Sequence, residues 1–142
     1  MQQVAHEDSV MTLEPLLQST LAVQIHTLAA VLAFGIGIGQ FLLPRGSTVH
    51  RVVGWSWVGL MAVTAGSSFF IHMGRVFGIW SPIHLLSIFT LVMLVLAIRA
   101  ARRRDVATHR SIMISLFVFA LVGAGAFTFL PGRIMNVVVF GG

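Results

Sequence analysis

The chain has no cysteine and no lysine, and only four acidic residues among its 142 positions. Without cysteine there is no disulfide, no iron–sulfur cluster and no thiolate metal ligand. Without lysine, the net charge of +5 comes entirely from arginine. Charged residues make up 9% of the chain, against about 25% in a typical soluble domain. So small a polar complement cannot coat a water-soluble globule, and the surface must face lipid. A Gly-rich phosphate loop, an HExxH pair and a Ser–His–Asp spacing are all missing. The opening "MQQVAHEDSVMTLEPLLQST" has no basic stretch leading into an apolar core, so it does not read as a cleaved signal peptide.

What the chain does contain is long apolar runs. A membrane span needs about 20 mainly apolar residues, and four segments qualify: 20–43, 48–73, 82–99 and 109–130. Glu14-Pro15 offers an earlier helix start, Ser81-Pro82 a cap and first-turn pair, and Pro131-Gly132 a stop. The predicted architecture is all-α: a polar segment over 1–19, then a four-helix transmembrane bundle over 20–142, antiparallel because the connections are short. Arg45, Arg51, Arg99, Arg102, Arg103, Arg104 and Arg110 flank the first and third connections. The other side carries Arg75 and Arg133, with Glu7, Asp8 and Glu14 nearby. The positive-inside rule then puts both termini on the non-cytoplasmic side. Arginines placed beside spans serve orientation, which leaves nothing to suggest a nucleic-acid partner; the expected partner is the lipid bilayer.

The two halves echo each other. Ile25-His26-Thr27-Leu28 returns as Ile83-His84-Leu85-Leu86, and "TVHR" at 48–51 as "ATHR" at 107–110. Ala65-Gly66, Phe70 and Gly74-Arg75 return as Ala124-Gly125, Phe129 and Gly132-Arg133. Each half is a hairpin of pattern IHxL…HR…AG…GR, over about 23–75 and about 81–133. Two spans per unit make the repeats parallel, with a pseudo-two-fold axis along the membrane normal.

Symmetry gives the histidines a geometry. His26 pairs with His84 near one face of the membrane and His50 with His109 near the other, each pair on diagonal helices. The two levels are about 25 Å apart, from the 1.5 Å rise per residue. Facing imidazoles can fill both axial positions of a b-type haem. Arg51 and Arg110 at one level, and Arg75 and Arg133 at the other, suit the propionates. Gly35, Gly37, Gly39, Ala65, Gly66, Ala124 and Gly125 leave room for a flat ring.

Each feature also has a plainer reading. His50-Arg51 and His109-Arg110 can anchor helix starts among headgroups, and Gly35-x-x-x-Gly39 and Ala62-x-x-x-Gly66 suit helix-packing seams. His72 breaks the symmetry, and His26, His72 and His84 together could hold a transition metal or a quinone headgroup. His26 lies within a span, where an ionisable residue is a functional candidate by default.

The runs "HRVVGW", "SSFFIHMGRVFGIWSPIHLLSIFTL", "RRRDVATHR" and "AGAFTFLPGRIM" closely resemble a family of small bacterial integral membrane proteins known only as a domain of unknown function. That resemblance covers nearly the whole chain from Ile25 and implies a four-span protein of the bacterial inner membrane, with no activity attached. A looser resemblance is to the transmembrane ascorbate-reducible di-haem b cytochromes, whose first and third core helices serve one haem and whose second and fourth serve the other. Those cytochromes have two further helices and bury their haems deeper than His50 and His109 would. The sequence therefore predicts a bis-histidine haem carrier working with the quinone pool. Its alternatives are an accessory subunit packed in a larger membrane complex or homodimer, and a metal or quinone site at His26, His72 and His84.

Overall fold

The computed structural model describes residues 11–71 and 82–141. His6, His72, Arg75 and the Ser81 cap lie outside them. The fold is all-α. A four-residue helix α1 (Glu14–Leu17) precedes α2 (Leu21–Leu42), α3 (Thr48–Ser68) and α4 (Pro82–Arg102). A long rod follows, built from α5 (Val106–Ser115), a π-helical stretch (Leu116–Gly123) and α6 (Ala124–Phe127), and a last helix α7 (Ile134–Phe140) closes the chain.

Three of these helices are long and apolar enough to cross a membrane: Leu21–Leu42, Pro82–Arg102 and the rod Val106–Phe127. At 1.5 Å per residue, 22 residues reach about 33 Å, enough for a hydrocarbon layer of about 30 Å. Their apolar side chains mostly point outward. In the most apolar stretch of each, 17–33% of residues are buried, and Leu28, Leu42, Val95 and Phe119 are among the large hydrophobics left open. A helix apolar all round with its outer face open belongs in lipid. α3 is as long, at 21 residues, but His50, Arg51, its serines and its glycines dilute its apolar run below the other three.

The observed helices refine the predicted ones. α2 starts and ends within one residue of expectation. α3 stops at Ser68, where Phe69, Phe70 and Ile71 leave the helix in turns bonded back to Gly66, Ser67 and Ser68. α4 continues to Arg102. The fourth rod begins three residues earlier than predicted because Asp105 caps it, accepting from the Thr108 amide at 3.1 Å. Ser47 caps α3 in the same way, accepting from the His50 amide at 3.0 Å.

α2 packs on α3, α3 on α4, and α4 on α5, while the π-helical stretch touches both α2 and α4. α2 and α4 are diagonal, with no Cα pair within 8 Å. The seam between α2 and α3 is the stripe Ala29, Ala33, Gly37. A Cβ at Gly37 would sit 2.6 Å from the Phe117 ring and 2.9 Å from Trp57 Nε1. Gly35, Gly39 and Gly66 have open space where a Cβ would go, so the predicted Gly35/Gly39 seam is off by two residues. Across the true seam Trp57 donates its indole N–H to the Ala33 carbonyl at 3.0 Å. Trp57, Met61, Leu94, Leu116 and Leu121 form the buried core around it.

Candidate functional site

Beyond that core the bundle opens. Phe34 stacks on Phe117 (centroids 5.7 Å) and Phe41 meets the same ring edge-on (5.2 Å). Toward the α2–α3 and α4–α5 connections, Trp57 and Phe117 pack over Gly37, with Phe34 and Phe41 flanking the Phe117 ring. In the other half small residues meet at one level: Ala30 on α2, Ala65 on α3, Ala120 on the π-helical stretch, and Ala124 and Gly125 on α6. α6 has no Cα within 8 Å of α2, α3 or α4. The result is a cavity of about 540 Å³, within the usual range of about 300–1,000 Å³ for small-molecule sites.

A π-helical stretch interrupts the fourth rod between α5 and α6. Its wider turns shift the register by a residue, and such insertions are frequent at functional sites. A Cβ at Gly123 would make ordinary contact with the Val118 carbonyl five residues back, at 3.4 Å.

Among the described residues, the cavity wall holds no charged side chain. Its polar groups are His26, Thr27, Thr64, Ser87, Thr90 and Thr128. Three of these hydroxyls are spent on backbone carbonyls three or four residues back: Thr64 donates to Leu60 (2.8 Å), Ser87 to Ile83 (2.7 Å) and Thr128 to Gly125 (2.6 Å). His26 differs. Its Nδ1 lies 2.8 Å from the Thr64 carbonyl and 3.3 Å from Ser67 Oγ. A carbonyl only accepts, so Nδ1 carries the proton, and the neutral ring presents Nε2 as a lone pair. A backbone carbonyl on Nδ1 is how proteins commonly orient an imidazole whose Nε2 binds something else.

His84 does not share this wall. It is buried, with Nε2 3.3 Å from the Phe69 carbonyl and its ring tilted against Phe69 at 5.7 Å. Close by, the hydroxyls of Ser68 and Ser87 hydrogen-bond to each other. His26 and His84 therefore occupy the same end of the bundle but different environments. The third residue of the expected metal set, His72, lies outside the described residues; among those described, no three His, Cys, Asp or Glu side chains come together as metal ligands.

At the opposite end His50 and His109 lie within electrostatic reach of each other, and Arg45 acts on His50 as well. His109 Nδ1 donates to the Ala97 carbonyl at 2.9 Å. Gln40 Nε2 donates to the His50 carbonyl at 2.8 Å, leaving Gln40 Oε1 and His50 Nδ1 buried without a partner. Arg51 and Arg110 are exposed, Arg51 reaching only Thr48 Oγ1 at 3.5 Å. Arg133 is exposed and precedes α7. Arg75 lies outside the described residues.

Sequence reasoning did not single out Trp57, Thr64 or Gln40. Gln40 carried a usable signal, because a lone amide within an apolar span is costly unless it has a partner. Thr64 carried none, since its contribution is a backbone carbonyl.

A family model described as DUF2306, predicted membrane protein, matches residues 23–140. No curated protein and no solved structure matches the chain.

Proposed function

The chain belongs to the DUF2306 family of predicted membrane proteins, and on that premise we propose that it binds a quinol-type redox carrier from the lipid phase, with His26 as the recognising group. One observation carries this reading. An uncharged, almost wholly apolar cavity of about 540 Å³ contains an imidazole whose tautomer is set by the Thr64 carbonyl. An ionic headgroup would find no counter-charge among the described lining residues. A neutral ring with a hydroxyl to donate finds Nε2 as its acceptor. The reduced quinol has that hydroxyl and the oxidised quinone lacks it, so the neutral imidazole favours the reduced form.

The scaffold we propose is a four-span bundle of two duplicated hairpins. α3 is the fourth span, supported by its length, its seat between α2 and α4, and its five-residue connection to α2. The paired offsets of the histidine, Ala-Gly and Gly-Arg motifs support the duplication. The arginines around Arg45 and Arg99 to Arg110 support placing that end in the cytoplasm of a bacterial cell, with the His26 cavity near the opposite face.

A second reading, b-type haem on paired imidazoles, has one observation in its favour. His50 and His109 sit on diagonal helices within electrostatic reach, and the Ala97 carbonyl on His109 Nδ1 leaves that Nε2 as a lone pair.

Two measurements separate the readings. Purified protein in nanodiscs should bind a soluble quinol, and His26→Ala should weaken that binding about tenfold, the loss expected for one buried hydrogen bond. Binding unchanged in His26→Ala would refute the assignment. A reduced-minus-oxidised spectrum of protein expressed with haem supplied should lack a low-spin b-type band. If the band appears and His50→Ala or His109→Ala removes it, the haem reading replaces the first.

A further inference from the structure

We propose that the His26 cavity is a side port to the bilayer. The ligand keeps its headgroup inside while its hydrocarbon tail leaves between α2 and α6. This rests on the quinol reading and adds the kind of molecule and its route.

The bundle parts at that place. α2 and the π-helical stretch are in contact, but α6 has no Cα within 8 Å of α2. Four large apolar residues line the cavity and are also exposed: Val31 58%, Phe34 44%, Val122 41% and Phe129 43%. A side chain that borders both spaces marks a mouth rather than a wall. These four come from α2 on one edge and from the π-helical stretch and the turn after α6 on the other. All are hydrocarbon, so the mouth suits a chain of methylenes or isoprene units and repels a charged headgroup. His26 lies farther in, with its Nδ1 on α3. A molecule that satisfied both would be polar at one end and long and apolar at the other, as tailed quinols are.

Gly125 offers a way to narrow this space. It lines the cavity, and a Cβ added there meets nothing within 4 Å. A Cβ at Gly125 has room, so Gly125→Leu takes up cavity space from the α6 side.

The test uses two probes with one headgroup, 2,3-dimethoxy-5-methylbenzoquinol without a tail and the same ring with a decyl tail. Binding to the full chain in nanodiscs is measured for the wild type, Gly125→Leu and His26→Ala. The expected result is that Gly125→Leu weakens the tailed probe at least tenfold more than the tail-less one, whereas His26→Ala weakens both alike. Equal loss of both probes in Gly125→Leu would overturn the side port while leaving the headgroup site in place. Wild-type binding of neither probe would overturn the quinol reading and the port with it. Thermal unfolding of Gly125→Leu, expected at the wild-type midpoint, excludes a folding defect as the cause.

Discussion

The same four helices are filled in one half of the bundle and hollow in the other. Toward the arginine-rich end, Gly37 on α2 lets Trp57 and Phe117 come together over a single Cα, with Phe34 and Phe41 flanking the Phe117 ring. Toward the opposite end Ala30, Ala65, Ala120, Ala124 and Gly125 are among the residues that line a cavity. Within a membrane, packing rather than water exclusion holds helices together. A half where small residues leave a cavity is therefore a half with less cohesion, and α6 stands apart there. The lesson is that glycine has opposite meanings at two places in one bundle. At Gly37 it admits an aromatic side chain, and at Gly125 it leaves space.

The largest expected effect breaks the filled half. Trp57→Ala should cost about 4 kcal/mol, the usual loss for deleting a large core aromatic, because both its ring volume and its bond to Ala33 disappear. Thermal unfolding in detergent reads this directly. Trp57→Phe, which keeps most of the ring and loses only the N–H, should cost about 1 kcal/mol.

Next in size is a matched pair that sharpens the comparison. Gly37→Leu should cost about 3 kcal/mol, since its Cβ alone falls 2.6 Å from the Phe117 ring. Gly125→Leu should stay within about 0.5 kcal/mol of the wild type. Equal effects at the two sites would mean that the halves are packed alike.

These two glycines also mark how far the sequence could be read. Helix positions were legible to within a few residues, because apolar runs, caps and Pro-Gly stops are local signals. The fourth rod was expected from His109, and only the structure shows Asp105 capping it by taking the Thr108 amide. Which glycine mattered was not legible. α2 is apolar all round, so no polar face identifies its buried side, and Gly35, Gly37 and Gly39 read alike. The value of His26 as a lone-pair donor was hidden for a related reason. It depends on the Thr64 carbonyl, a group every residue has. The paired histidines were visible by their spacing, but His84 turns to the Phe69 carbonyl while His26 faces the cavity, so symmetry of sequence did not carry over to symmetry of environment. The π-helical stretch left no sequence mark at all.

The smallest effect lies outside the membrane, at the start of the fourth rod. Hydrogen bonds from the Thr108 hydroxyl and amide hold the Asp105 carboxyl below its ordinary range. A carboxyl depressed in the folded state stabilises above its unfolded value, about 3.9, and that contribution fades as pH falls through the lower folded value. The thermal midpoint of the wild type should therefore drop on acidification below about pH 4, and Asp105→Asn, which can still cap, should reduce that part of the drop. An identical acid profile for the two proteins would show that the cap carries no pH dependence.

The most direct test of the account is the protonation state of one ring. With ¹⁵N-labelled histidine and His26→Ala to assign its signals, magnetic resonance at neutral pH should show the His26 proton on Nδ1 and a deshielded, lone-pair Nε2. Adding the decyl-tailed quinol should shift that Nε2 resonance, as a nitrogen does on accepting a hydrogen bond, and leave His84 in place. A His26 proton on Nε2, or an Nε2 signal that ignores the quinol at saturation, would contradict the claim that the hollow half of the bundle is a ligand site.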